Sequence, residues 1–143
     1  MNKIIVFALL LSAPFIGAQN KISLTEREVQ NDTLIYNTAG LEVQPEFPGG
    51  IEKFYDFFYS NFNVPEQGIK GKIAAMFVIE KDGSLSRIKV LRPLDVEMQK
   101  EIVQVLNITP KWSPGRQNRK IVRTLFAIQL PFDYTKKKEP RKK

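Results

Sequence analysis

The sequence contains no cysteine and no histidine. The first absence excludes disulfides, thiolate chemistry, thiol-based zinc sites and a lipidated cysteine. The second removes the commonest metal ligand and the commonest general base near neutral pH. Neither a GxGxxG nor a Gly-Lys-Ser/Thr loop is present, so the usual nucleotide cradles are missing. The acidic residues are scattered, which leaves no carboxylate cluster for calcium and no base beside a nucleophile. An enzymatic role is therefore not expected, and neither a cofactor nor a bound metal is expected.

Long apolar runs are also scarce. Ile4–Leu11 follows Lys3 and precedes Pro14 and Gly17-Ala18. That order of a positive start, an apolar stretch and small residues predicts a secretory signal peptide over 1–18. The stretch is shorter than the roughly 20 residues of a membrane span. A cleaved, periplasmic protein is the expectation, and retention of the leader as an inner-membrane anchor is the alternative. Residues 19–41 are polar and read as a linker, with a short strand candidate at Thr33–Asn37.

The formal charge of +7 is concentrated in the tail "TKKKEPRKK" (135–143), which carries six bases and one acid. Residues 19–134 are nearly neutral, with 15 bases and 14 acids. A basic face for nucleic acid is therefore not expected. The tail has the composition of a disordered segment that adheres weakly to anionic membrane surfaces. Within the remaining chain, Lys111, Arg116, Arg119, Lys120 and Arg123 form a basic run without an intervening acid. Its two readings are a solvated loop face and a contact for an anionic partner.

Hydrophobic periodicity supplies the elements. After Pro48-Gly49-Gly50, the residues Ile51, Phe54, Tyr55, Phe58 and Phe62 recur on one face of a helix. Phe57 falls off that stripe and Tyr59 lies on its border. The residue before Pro65 avoids helical backbone, which ends the helix near Asn63. "GKIAAMFVIEKDGSLSRIKVL" predicts a hairpin turning at Lys81-Asp82-Gly83-Ser84. One face of its first strand holds Ile73, Ala75, Phe77 and Ile79. The other holds Ala74, Met76 and Val78, more apolar than a solvated sheet face requires. With Leu125 and Ala127, that second face suggests an alternative role as a homodimer or envelope scaffold.

A second helix starts from Asp95 as cap and carries the stripe Met98, Ile102, Val105 and Leu106. After the Ser113-Pro114-Gly115 turn, Ile121–Phe132 alternates as a strand, with Val122, Thr124, Phe126, Ile128, Leu130 and Phe132 on one face. The order helix, strand, strand, helix, strand predicts an α+β domain over 42–134. Two helices pack on one face of a three-stranded antiparallel sheet.

Together "EVQPEFPGGIEKFYDFFYSNFNVP", "GKIAAMFVIEKDGSLSRIKVL" and "PKWSPGRQNRKIVRTLFAIQLPF" resemble the C-terminal domain of TonB, in the form common in Bacteroidetes. The resemblance runs from Glu42 to Tyr134 and implies the same two-helix, three-strand fold. It also implies a partner: the N-terminal box of a TonB-dependent outer-membrane transporter, or another envelope protein, held by strand addition. The implied pairing strand comprises Ile121, Val122, Arg123, Thr124, Leu125, Phe126, Ala127, Ile128, Gln129 and Leu130. Three departures stand out. No proline-rich spacer follows the leader. The loop "GRQNRKIV" is more basic than the family's usual turn. Val64-Pro65 replaces the common Tyr-Pro.

Overall fold

The structure is a computed structural model that describes residues 33–63, 69–91 and 96–134. The leader, most of the linker, the Val64-Pro65 stop, the Asp95 cap and the basic tail lie outside the described residues. Chain order is β1 (Ile35–Asn37), α1 (Ile51–Asn61), β2 (Ile69–Ile79), β3 (Leu85–Val90), α2 (Val96–Asn107), β4 (Arg116–Gln117), β5 (Lys120–Ile121) and β6 (Arg123–Tyr134).

The α+β class and the helix–strand order stand, but the sheet is not a three-stranded antiparallel one. It has four strands in the order β1-β6-β2-β3, and β1 joins parallel to β6. The short strand candidate at Thr33–Asn37 is therefore a member of the sheet. A separate small ladder, β4 with β5, precedes β6.

Gly50 explains how α1 begins. Its φ of +92° lies where a Cβ is strained. Its N–H donates to the Phe47 carbonyl at 2.8 Å, and its own carbonyl accepts the Phe54 N–H. The Gly-Gly step is thus a turn into a helix. Phe54 and Phe58 are fully buried, and Phe62 is buried just past the helix end. Ile51, expected on the core face, is instead 40% exposed. It is the first helical residue, where the chain is still turning out of Gly49-Gly50. Helix α2 buries the four residues its periodicity marks: Met98, Ile102, Val105 and Leu106. The helices are tied where α1 ends, because Glu101 Oε1 accepts from both the backbone N–H and the side-chain amide of Asn63.

Trp112 is the hub of the aromatic core. Its ring lies 5.2–5.7 Å from those of Phe47, Phe54, Phe77 and Phe126. Burial of each large apolar side chain contributes roughly 1.5–3 kcal/mol, so this cluster is a major part of a small core. Phe57, off the predicted stripe, packs on Phe47 at 5.8 Å. Opposite the helices, Val78 is only 1% exposed, while Ala74, Met76 and Leu125 are half-buried and Ala127 is exposed.

The register along β2–β6 is unbroken from Ile69↔Tyr134 to Ile79↔Thr124. Along β2–β3 it shifts between Met76 and Val78. Two steps on β2 face three on β3, from Ser86 to Lys89. The extra residue lies beside Arg87, whose φ is +49°. This bulge lets Leu85 and Ile88, three residues apart, both pack on the core.

Candidate functional site

The expected site is the outer edge of the last strand. Backbone parity decides which groups point there. The Leu91 N–H donates to the Ala74 carbonyl at 2.8 Å, so Ala74 turns its backbone groups toward β3. Its cross-strand partner Gln129 must then turn its own groups away from β2. With period-two alternation and an unbroken register, Arg123, Leu125, Ala127, Gln129 and Pro131 all face the outer edge. Thr124, Phe126, Ile128 and Leu130 pair inward with β2, and their side chains lie on the helix-covered face.

The edge begins two residues later than the sequence implies. Ile121 belongs to β5, opposite Arg116. Val122 is buried, and its N–H donates to the Gly115 carbonyl at 3.0 Å. The sequence missed this because "KIV" continues the apolar run without a break. The turn Asn118-Arg119 that makes the β4–β5 hairpin has φ of +50° and +61°, as a two-residue primed turn requires. An Asn-Gly pair there would have been legible.

Three features close the outer edge. Over Arg123–Leu125 it is occupied by β1, in the register Ile35↔Arg123, Tyr36↔Thr124 and Asn37↔Leu125. At Gln129 the carbonyl accepts the Tyr55 hydroxyl at 3.1 Å. At Pro131 the carbonyl accepts the Tyr59 hydroxyl at 2.5 Å, and proline has no N–H to offer. Tyr55 and Tyr59 are one helical turn apart on α1 and their rings stack at 6.3 Å. Periodicity puts Tyr55 on the core stripe, but nothing in the sequence signals that both hydroxyls reach the edge.

Arg123 joins the edge to the rest of the sheet. Its Nε and Nη2 donate to the two carboxylate oxygens of Glu80 at 2.6 and 2.8 Å. Its Nη1 donates to the Thr33 carbonyl at 3.3 Å, just before β1. Ser86 also donates to Glu80. The Arg123 guanidinium holds the Glu80 carboxyl below its ordinary range, against burial, which pushes it up.

The basic run is divided by the fold. Lys111 is drawn to Asp82 at 3.3 Å. The Ser84 hydroxyl and amide and then Lys111 lower the Asp82 carboxyl to about 2, which fits a turn role for this residue. Arg116, Arg119 and Lys120 are exposed on the β4–β5 hairpin, beside the start of β6. Among the described residues no group of His, Cys, Asp or Glu is placed to hold a metal, and no helix is long and apolar enough to cross a membrane.

Residues 63–135 match the model of the family described as the Gram-negative bacterial TonB protein C-terminal. The chain belongs to this family. The match starts where α1 ends, so β1, Tyr55 and Tyr59 all precede the matched span. The family makes this chain a TonB-like, protein-interacting domain of the Gram-negative envelope, a non-enzymatic class. Among solved structures, the TonB C-terminal domain of Pseudomonas aeruginosa, determined in solution, is similar at 19% identity and a TM-score of 0.36. The alignment covers 73% of this chain and 96% of that one. No curated protein matches.

Proposed function

We propose that this domain works in the periplasm by capturing an extended segment of an envelope protein along the outer edge of β6, from Arg123 to Leu130. The segment we favour is the N-terminal box of a TonB-dependent outer-membrane transporter. Strand addition suits a protein-interacting domain of this family, because main-chain hydrogen bonds supply affinity and alternate side chains supply choice. The observation that supports this reading is β1. A three-residue segment of the chain itself lies in register against Arg123–Leu125, so this edge accepts extended backbone. The exposed Arg116, Arg119 and Lys120 stand where they can meet acidic residues flanking such a segment.

Titration of the full chain with a synthetic box peptide and its scrambled counterpart tests the reading. The native order is expected to bind and the scrambled order not. Leu125→Pro removes an outward-facing amide from the edge and is expected to abolish binding while the far-ultraviolet circular dichroism is retained. Equal binding of both peptides, or undiminished binding to a folded Leu125→Pro variant, refutes it.

A further inference from the structure

We infer that β1 is a resident competitor for the β6 edge, so that an incoming strand must displace Ile35–Asn37 before it can pair over Arg123–Leu125. This rests on the reading of β6 as the capture edge and specifies how access to it is controlled.

The first ground is geometric. Arg123 and Leu125 turn their backbone groups outward, and β1 lies against both. In a parallel ladder the residue opposite Thr124 is the one whose N–H and carbonyl reach its neighbours, which makes Tyr36 the pairing residue of β1. A second strand cannot use the same groups at the same time. The remaining outward positions give an entering strand little to start from. Gln129 and Pro131 have their carbonyls engaged by tyrosine hydroxyls, and Pro131 lacks an amide. Ala127 stands between these and the β1-covered stretch.

The second ground is that β1 is held lightly. Among the described residues only three of its residues pair, and they pair on one side only. Tyr36 and Ile35 are half-buried and Leu34 is exposed. Directly after β1 the chain turns, with the Asn37 side chain accepting the Ala39 N–H at 3.2 Å. Short, one-sided pairing of this kind opens at far lower free energy than a core strand such as β2. The strand can therefore leave while the sheet stays intact, and it weakens a rival by the inverse of the fraction of time the edge is open.

Tyr36→Pro removes the amide of the pairing residue and leaves every β6 group in place. Two peptides are titrated into the wild-type chain and this variant: a transporter box peptide, and the chain's own segment 32–40 (DTLIYNTAG). Both are expected to bind the variant roughly tenfold more tightly than the wild type, as for an edge otherwise open about a tenth of the time. Hydrogen exchange on the wild-type chain supplies a readout that does not depend on the variant folding. Saturating box peptide is expected to raise exchange at Tyr36 while leaving β2 protected. Equal box-peptide affinity for wild type and variant, with Tyr36 still protected in the complex, overturns the competition and leaves strand capture standing. Binding of the 32–40 peptide to the variant, with no box peptide binding either protein, upholds β1 as a detachable strand and refutes the transporter as partner.

Discussion

The two margins of the sheet are closed by different means. On the β3 side the strand closes itself. It is six residues long, it is bulged at Arg87, and its Arg87 and Lys89 side chains are exposed. Short, twisted, cationic edges resist pairing with other chains. On the β6 side the strand is twelve residues long and regular. Among the described residues it is closed chiefly by parts from elsewhere in the sequence, β1 and two tyrosine hydroxyls from α1, helped by Pro131 of its own. An edge closed by its own backbone stays closed. An edge closed by separable groups can open, and that difference favours β6 as the edge for the proposed capture.

The largest expected effect comes from loosening the margin that should not move. Gly83 turns the β2–β3 hairpin with a φ of +84°, and a Cβ there would lie 2.1 Å from the Trp112 carbonyl oxygen. That contact is fixed from both sides, because the Trp112 N–H donates to the Gly83 carbonyl at 2.9 Å. Gly83→Ala therefore combines backbone strain with overlap against the main chain, and about 3 kcal/mol of stability should be lost in urea unfolding. A loss below about 1 kcal/mol would mean that the turn slides off Trp112 and that β3 is not held as described.

A smaller effect is expected from the margin that should open. Tyr55→Phe with Tyr59→Phe keeps the rings and removes both hydroxyls from the Gln129 and Pro131 carbonyls. Each net hydrogen bond contributes about 0.5–1.5 kcal/mol, and both tyrosines sit at the rim of the helix layer. The double variant should lose about 1–2 kcal/mol in urea unfolding. It should also bind a box peptide more tightly, because two edge carbonyls become available. Unchanged or weaker peptide binding would show that the hydroxyls do not guard the edge.

These two margins were not equally legible in the sequence. The β3 side was partly readable: the Asp82-Gly83 turn and the Ile88/Val90 alternation follow from local residue types. The bulge at Arg87 was not, because a positive φ at arginine has no composition signal. The inward face of β6 was legible from its strict alternation, as was the α2 stripe, since both periodicities reflect burial on one side. What closes β6 was not. Thr33–Asn37 reads as a short strand candidate, but pairing between Tyr36 and Thr124 joins segments far apart in the chain, and so short a segment does not show which strand it joins. Tyr55 and Tyr59 have the right spacing for a core stripe, and the destination of a hydroxyl cannot be read from helical period. Ile51 shows the converse error, a residue in phase with the stripe but too close to the helix start to be covered by it.

The smallest effect concerns the link between the margins. Glu80 lies at the end of β2 and holds Arg123, which in turn donates to the Thr33 carbonyl ahead of β1. The ion pair is largely buried, with side chains 24% and 16% exposed. Its carboxyl titrates below the ordinary 4.5 because Arg123 donates to it, with Ser86 and the charge of Arg87 acting in the same direction. A depressed carboxyl stabilises the fold above its unfolded value, and that stabilisation is lost as pH falls through the lower folded value. Wild type should therefore exceed Glu80→Gln in urea midpoint at pH 7, and the gap should shrink as pH falls below 4.5. Exchange at Tyr36 should be faster in Glu80→Gln than in wild type at pH 7, since a looser Arg123 holds the start of β1 less firmly. A gap that stays constant with pH would remove the ion pair from the account, and β1 would then be retained by its ladder alone.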